Sequence, residues 1–240
     1  LITALIDSDI VAYRCAASCE KAIDKVRVPV EPLEVAFHRV DDLVQRILHA
    51  TASDDYISFI SGSENFRTKY NPEYKAQRKD LPRPEYLQPV REYLVTRWHS
   101  QVTDGIEADD ALAIHQTKLE DSVICTIDKD LLQVPGKHYN FVKEEFKTVS
   151  PKEGLLSFYW QLIMGDKVDN IFGFDGKARP TTPKFLEPLY EEMVHASQMG
   201  TELDLFDIVR EKYSDDERLL MNGICLWVQR TEGEIWKFPT

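Results

Sequence analysis

Ser122-Val123-Ile124-Cys125-Thr126-Ile127-Asp128-Lys129-Asp130 is the stretch on which the fold turns. A short apolar run ends abruptly in two aspartates, the pattern of a buried strand with acid beyond its C-terminal end. Thr3 to Ile6 has the same pattern and runs into Asp7-Ser8-Asp9. Tyr56 to Ile60 and Gln101 to Thr103 are further short strands, and a last one is predicted near His138 to Val142. Between them lie helical patterns at Ile10 to Cys19, at Glu107 to Leu119 and in a short piece from Lys129. A longer one at Pro32 to His49 puts Leu33, Phe37, Val40, Val44, Ile47 and Leu48 on one face. Gly154 to Met164 and the segments after Pro183 also read as helices. Strands alternating with helices predict an α/β fold, with a central, mainly parallel sheet flanked by helices. Residues 1–165 form the expected core, which carries a basic helical gateway at about 65–97. Residues 166–240 form a helical portion packed on the core and not an independent domain.

The chain of 240 residues is 43% hydrophobic and 29% charged, an ordinary soluble composition for one sizeable core. Cys15, Cys19, Cys125 and Cys225 form no zinc-like spacing and read as small buried residues of a reducing compartment. The opening Leu1 to Ile6 is too short for a signal peptide, and no apolar run approaches the roughly 20 residues of a membrane span. The expectation is a cytoplasmic monomer with no membrane partner. A net charge of −12 argues against nucleic acid, because binding phosphates favours lysine and arginine. Bound cations lift that objection for a metal-dependent enzyme. Locally, Asn65 to Arg97 sets eight basic against four acidic residues, with Tyr70, Tyr74 and Tyr86 interleaved.

Three acidic clusters fall where open α/β sheets place their ligands, beyond the C-terminal ends of strands, and a fourth follows the helix ending at Met164. They are Asp7 with Asp9; Glu107, Asp109 and Asp110; Asp128 with Asp130; and Asp166 with Asp169. Singly, each reads better as a helix cap or as a charge suited to the helix dipole. Together, they would repel one another without cations, and Mg²⁺ or Mn²⁺ prefers such hard oxygen donors. Two such ions activate a water and stabilise the leaving oxygen of a phosphodiester.

These pieces occur in a recognisable order: Ile6 to Asp9; Phe66-Arg67 with Tyr74-Lys75-Ala76-Gln77-Arg78; Gly105 to Asp110; Thr126 to Asp130; and Gly165 to Ile171. In that order and spacing the chain resembles the 5′-nuclease (flap endonuclease) superfamily, most closely the short 5′-3′ exonucleases of tailed bacteriophages. The resemblance implies a PIN-like core and a two-metal nuclease acting on DNA, or on RNA in a hybrid, from 5′ ends or at flaps and branches. A phage-encoded enzyme of this kind would work in the host cytoplasm. The implied metal ligands are Asp7, Glu107, Asp109, Asp110, Asp128, Asp130, Asp166 and Asp169. Catalytic roles fall to Asp7, Asp128, Lys75 and Arg78, the last two on a helix approaching the scissile phosphate. Nucleic acid is expected to meet Arg67, Lys69, Tyr74, Lys75, Arg78, Lys79, Lys177, Arg179 and Lys184.

Two departures stand out. The family has an aspartate just after the second strand, where this chain has Gly62, with Asp9 or Glu64 as the nearby substitutes. Gly62→Asp is accordingly expected to strengthen metal binding. The family's helix-hairpin-helix, whose glycine-rich turn holds a monovalent cation such as K⁺, is degenerate here. Gly173 and Gly176 remain, and Pro180 and Pro183 delay the second helix. Two rival readings stay open: a PIN-type ribonuclease, and a catalytically weakened protein that binds branched DNA.

Overall fold

Short apolar strands and amphipathic helices alternate along the first half of the chain in the computed structural model. It describes residues 1–240 except Asp24 and Lys25, and leaves out the side chains of Ala22, Val26, Lys79 and Asp80. The strands are β1 (Thr3–Asp7), β2 (Glu20–Ile23), β3 (Val26–Pro29), β4 (Asp55–Ser61), β5 (Gln101–Thr103), β6 (Ser122–Cys125), β7 (Gly136–Asn140) and β8 (Glu145–Val149). The helices are α1 (Ser8–Ser18), α2 (Leu33–Ala50), α3 (Arg67–Tyr70), α4 (Leu87–Arg97), α5 (Ala108–Lys118), α6 (Pro151–Met164), α7 (Glu187–Met199), α8 (Glu202–Lys212) and α9 (Asp216–Leu226).

The chain divides into two units, the first made of residues 1–65, 81–128 and 136–148. Its six-stranded sheet runs β5-β4-β1-β6-β7-β8, and the pairings of β4 with β5, β1 with β4, β1 with β6 and β6 with β7 are all parallel. Parallel strands joined through helices need apolar faces on both sides, and the unbroken burial of Ala4, Leu5 and Ile6 meets that need. The expected central parallel sheet is therefore present. Helices α1, α2 and α4 supply Val11, Ala12, Ala16, Val40, Val44, Ile47, Val90 and Leu94 to one core with Ile6 and Ile60. The register puts Asp7 opposite Phe59 and Ser61 opposite Thr103, so the strand ends that carry acid lie at one end of the sheet.

The second unit comprises residues 66–80, 129–135 and 149–240. It is helical, with Phe158, Tyr159, Leu162, Ile163, Met193, Val209, Leu219 and Trp236 in its core. Ser150 caps α6, and Glu153 returns the bond to the Ser150 N–H at 2.8 Å. Gly165 ends that helix at a positive φ of 69°, where an added Cβ would lie 2.5 Å from the Gly173 nitrogen. Only glycine suits both demands. No helix among the described residues is long and apolar enough to cross a membrane. All four cysteines are free and buried.

Three features differ from the sequence expectation. The antiparallel hairpin of β2 and β3 was not foreseen, nor was β8, whose residues are exposed apart from Val149 and so lack an apolar face. The basic segment is less helical than expected. Pro72, Pro82 and Pro84 break it into α3, a turn, a 3-10 stretch at Ala76–Asp80 and α4. Lys75 consequently sits in the turn at φ 55°, not on a helix.

Candidate active site

Asp7 is the last residue of β1, which has parallel neighbours on both sides, and it is only 2% exposed. One carboxylate oxygen accepts from the Ile10 N–H at 3.1 Å and caps α1; the other accepts from the Thr126 hydroxyl at 2.7 Å. Thr126 in turn accepts from the Asp128 N–H at 3.0 Å, which fixes the chain leaving β6. Burial pushes the Asp7 carboxyl up to about 7, the Thr126 hydrogen bond opposes that, and the charges of Asp9 and Asp128 add to the rise. A carboxylate desolvated beside two others is unfavourable unless a cation joins them.

Glu107 and Asp110 form a reciprocal capping box at the start of α5, with the Glu107 N–H donating to Asp110 at 3.1 Å. Asp110 is fully buried, and Asp109 lies beside it in the first turn. The Ser61 hydroxyl at the end of β4 accepts from the Ala108 N–H at 2.9 Å and ties this helix start to the sheet. The bonds that cap the helices also orient these acids.

In the second unit, Asp130 accepts from the Gln161 amide at 2.9 Å. Asp166 is buried and accepts from the Val168 and Asp169 N–H groups at 2.7 and 3.1 Å, which folds the loop after α6. Asp169 accepts from the Tyr74 hydroxyl at 2.9 Å and from Arg78 at 2.6 Å, with the Lys75 ammonium at 3.6 Å. The Lys75 N–H also donates to the Asp169 carbonyl at 3.1 Å. Gln77 donates to the carbonyls of Lys167 and Val168 at 2.8 and 2.9 Å. The basic pair is therefore held against the acidic loop by side chains that share one short turn.

Among the described residues, no three His, Cys, Asp or Glu side chains converge closely enough to hold a metal ion in the conformations seen. The donor chemistry nevertheless fits a hard divalent cation. Asp7 is a desolvated oxygen donor whose carboxyl feels the charges of two further carboxylates.

The family model described as 5′-3′ exonuclease, N-terminal resolvase-like domain, matches residues 3–158. The chain belongs to the 5′-3′ exonuclease family. This exonuclease is accordingly a nuclease, a hydrolase of phosphodiester bonds. Its fold is similar to that of the bacteriophage T5 flap endonuclease solved as a pseudo-enzyme-product complex with DNA and metal ions. That match has a TM-score of 0.68 at 16% identity, and covers 94% of this chain and 89% of the other. The bacteriophage T5 5′-exonuclease with bound zinc matches at a TM-score of 0.64 and 17% identity, covering 94% and 89%. The catalytic core of Rad2 with a DNA substrate matches at 0.51 and 16%, covering 98% of this chain and 78% of the other. At such identities these three share the fold with the exonuclease.

The structure revises several expected roles. Arg67 is 2% exposed, and its guanidinium donates to the carbonyls of Cys225 and Trp227 at 2.8 and 2.7 Å, so it supports the fold of the second unit and does not face a phosphate. Tyr74 is buried, and its hydroxyl steadies Asp169, so its ring is not offered to a base. Arg179 is paired with Asp175. Lys69, Lys177 and Lys184 are exposed, and the side chain of Lys79 lies outside the described residues. In the turn expected to hold K⁺, the Gly173 and Phe174 carbonyls accept from Arg218 at 2.5 and 2.6 Å. Sequence reasoning missed Thr126 and Arg91, which donate to the carboxylates of Asp7 and Asp9, and Gln77, which holds the main chain of the acidic loop; no spacing rule announces these bonds.

Gly62 carries the largest correction. A Cβ at this position would lie 2.1 Å from the Thr103 carbonyl oxygen, in the backbone of the neighbouring strand. Gly62→Asp is therefore expected to lower stability by roughly 2 kcal/mol or more, because the sheet edge must move. Urea denaturation of the two proteins measures this. Equal midpoints with tighter metal binding would restore the original expectation.

Proposed function

We propose that the chain is a divalent-metal-dependent nuclease that hydrolyses DNA, and RNA in hybrids, from 5′ ends or at flaps and branches, releasing 5′-phosphates. The observation that carries this reading is Asp7: a buried carboxyl at the end of the central strand, under the charges of Asp9 and Asp128. Asp7, Glu107, Asp109, Asp110 and Asp128 are the donors proposed in the first unit, and Asp130, Asp166 and Asp169 those in the second. Bound Mg²⁺ or Mn²⁺ supplies a water of lowered pKa and neutralises charge at the leaving oxygen.

The chain's own residues do the remaining work. Thr126 holds the Asp7 carboxylate in one orientation by donating to it. The capping box holds Glu107 and Asp110 at the mouth of α5. Lys75 and Arg78, steadied by Asp169, bring positive charge to the phosphodiester and stabilise its developing negative charge. Lys69, Lys177 and Lys184 attract the nucleic-acid backbone as exposed cations. The protein acts as a monomer in this reading.

The test is cleavage of end-labelled single-stranded, duplex and 5′-flap DNA, with matched RNA, in Mg²⁺, Mn²⁺ or EDTA. Metal-dependent release from 5′ ends or flaps, abolished in Asp128→Ala while DNA binding persists, is the expected result. Preference for RNA would favour the ribonuclease reading. Binding to branched DNA without cleavage in any metal would make the chain a recognition protein.

A further inference from the structure

The end of β4 has no room for a side chain at residue 62, and a cation from another element stands beside it. Arg91 lies on α4 between Val90 and Leu94, both core residues, which fix the helix against the sheet. Its planar guanidinium uses two nitrogens at once: one donates to the Asp9 carboxylate and the other to the Ser61 carbonyl. The second Asp9 oxygen accepts from the Ser61 N–H at 2.9 Å. Both oxygens of Asp9 are thus engaged, and the same Ser61 holds the start of α5 through its hydroxyl. Arg91 and Asp9 side chains are only 26% and 31% exposed, so solvent screens the pair incompletely.

Resting on the nuclease reading above, we propose that Arg91 is a positioning residue that neutralises Asp9 and withholds it from the metal donor set. The divalent ion is then bound without Asp9 and without a ligand at residue 62. Asp9 does not replace the missing aspartate; it is the anchor of a bridge joining α1, β4 and α4. A guanidinium suits that task because its fork spans a carboxylate and a carbonyl together, which an ammonium on a flexible stem does not.

A double-mutant cycle tests this by Mn²⁺ titration of the full chain without DNA, read by calorimetry or by the electron-spin signal of free Mn²⁺. Arg91→Ala removes a positive charge and releases Asp9, so it should bind Mn²⁺ roughly tenfold more tightly. The Arg91→Ala/Asp9→Asn double variant should return to within about threefold of the parent, because the pair is removed whole. Arg91→Lys, which keeps the charge and the stem, provides a second folded variant and should fall between the parent and Arg91→Ala. A double variant binding tenfold or more weakly than the parent would make Asp9 a ligand and overturn the proposal. So would an Arg91→Ala protein that melts like the parent and binds Mn²⁺ no better. Absence of saturable Mn²⁺ binding by the parent would instead overturn the proposed divalent-metal dependence, and this inference with it.

Discussion

Asp7→Asn is expected to stabilise the metal-free protein near neutral pH while reducing cleavage by roughly a thousandfold or more. The two effects have one cause. The carboxyl rises from 3.8 to about 7 chiefly because burial disfavours its charged form, with Asp9 and Asp128 adding to the rise. The folded chain therefore binds this proton more tightly than the unfolded chain does. Without metal, the parent should lose stability as pH climbs from 3.8 to about 7 and change little from this group above that. Such a shift corresponds to roughly 4 kcal/mol at most. The asparagine amide is neutral but has one acceptor fewer for Ile10 and Thr126, so a net gain of about 1–3 kcal/mol is the reasonable expectation. Urea midpoints in EDTA, taken from acid to mildly alkaline pH, read it directly. The parent curve should fall across that window, and the variant curve should lack this fall. An asparagine variant less stable than the parent in alkaline buffer would show that the carboxylate is not destabilised by its surroundings. In that case the argument for a cation beside it loses its main physical support.

What the sequence disclosed follows from which interactions are local. Val123, Ile124 and Cys125 announce a buried strand because both of its faces need apolar residues, and acid directly after such a strand marks the ligand end of the sheet. Asp7 and Asp128 were read as candidates in this way, and Asp110 from its place in the first turn of a helix that follows a strand; the family match spans all three positions. The broken gateway was less legible because Lys75 and Arg78 are separated by only three positions, a spacing that a helix and a tight turn both allow. The outcome depended on Pro72 before them and Pro82 after them, and on the Lys75 N–H finding the Asp169 carbonyl. Arg67 misled for a different reason. A guanidinium among basic residues looks like a phosphate contact until its burial against the carbonyls of Cys225 and Trp227 is known. The clash at Gly62 was equally hidden, since it is made by the backbone of Thr103, about forty positions away.

Lys75→Ala should lower the single-turnover cleavage rate by about 10²–10³-fold, while changing the unfolding free energy by less than about 1 kcal/mol. The ammonium stands 3.6 Å from Asp169 and 5.0 Å from the centre of the Tyr74 ring, contacts that orient it at modest energetic gain. Its backbone is costlier. At φ 55° a lysine occupies the left-handed region, which costs a non-glycine residue of order 1 kcal/mol. That conformation brings the Lys75 N–H to the Asp169 carbonyl and sets the direction in which the side chain leaves the turn. Lys75→Gly separates the two contributions. Glycine accepts the positive φ and keeps the N–H that bonds the Asp169 carbonyl, so this variant should melt at or near the parent temperature. It should nonetheless share the full rate loss of the alanine variant, because both lack the ammonium. Lys75→Arg should recover only part of the rate, since a broader cation with fixed geometry leaves the same strained turn. Rapid-quench kinetics beside thermal melts of the three variants decide the matter. A glycine variant that cleaves within a few-fold of the parent would remove Lys75 from the chemistry. A rate loss that tracked the melting temperatures across the series would reduce it to a structural residue.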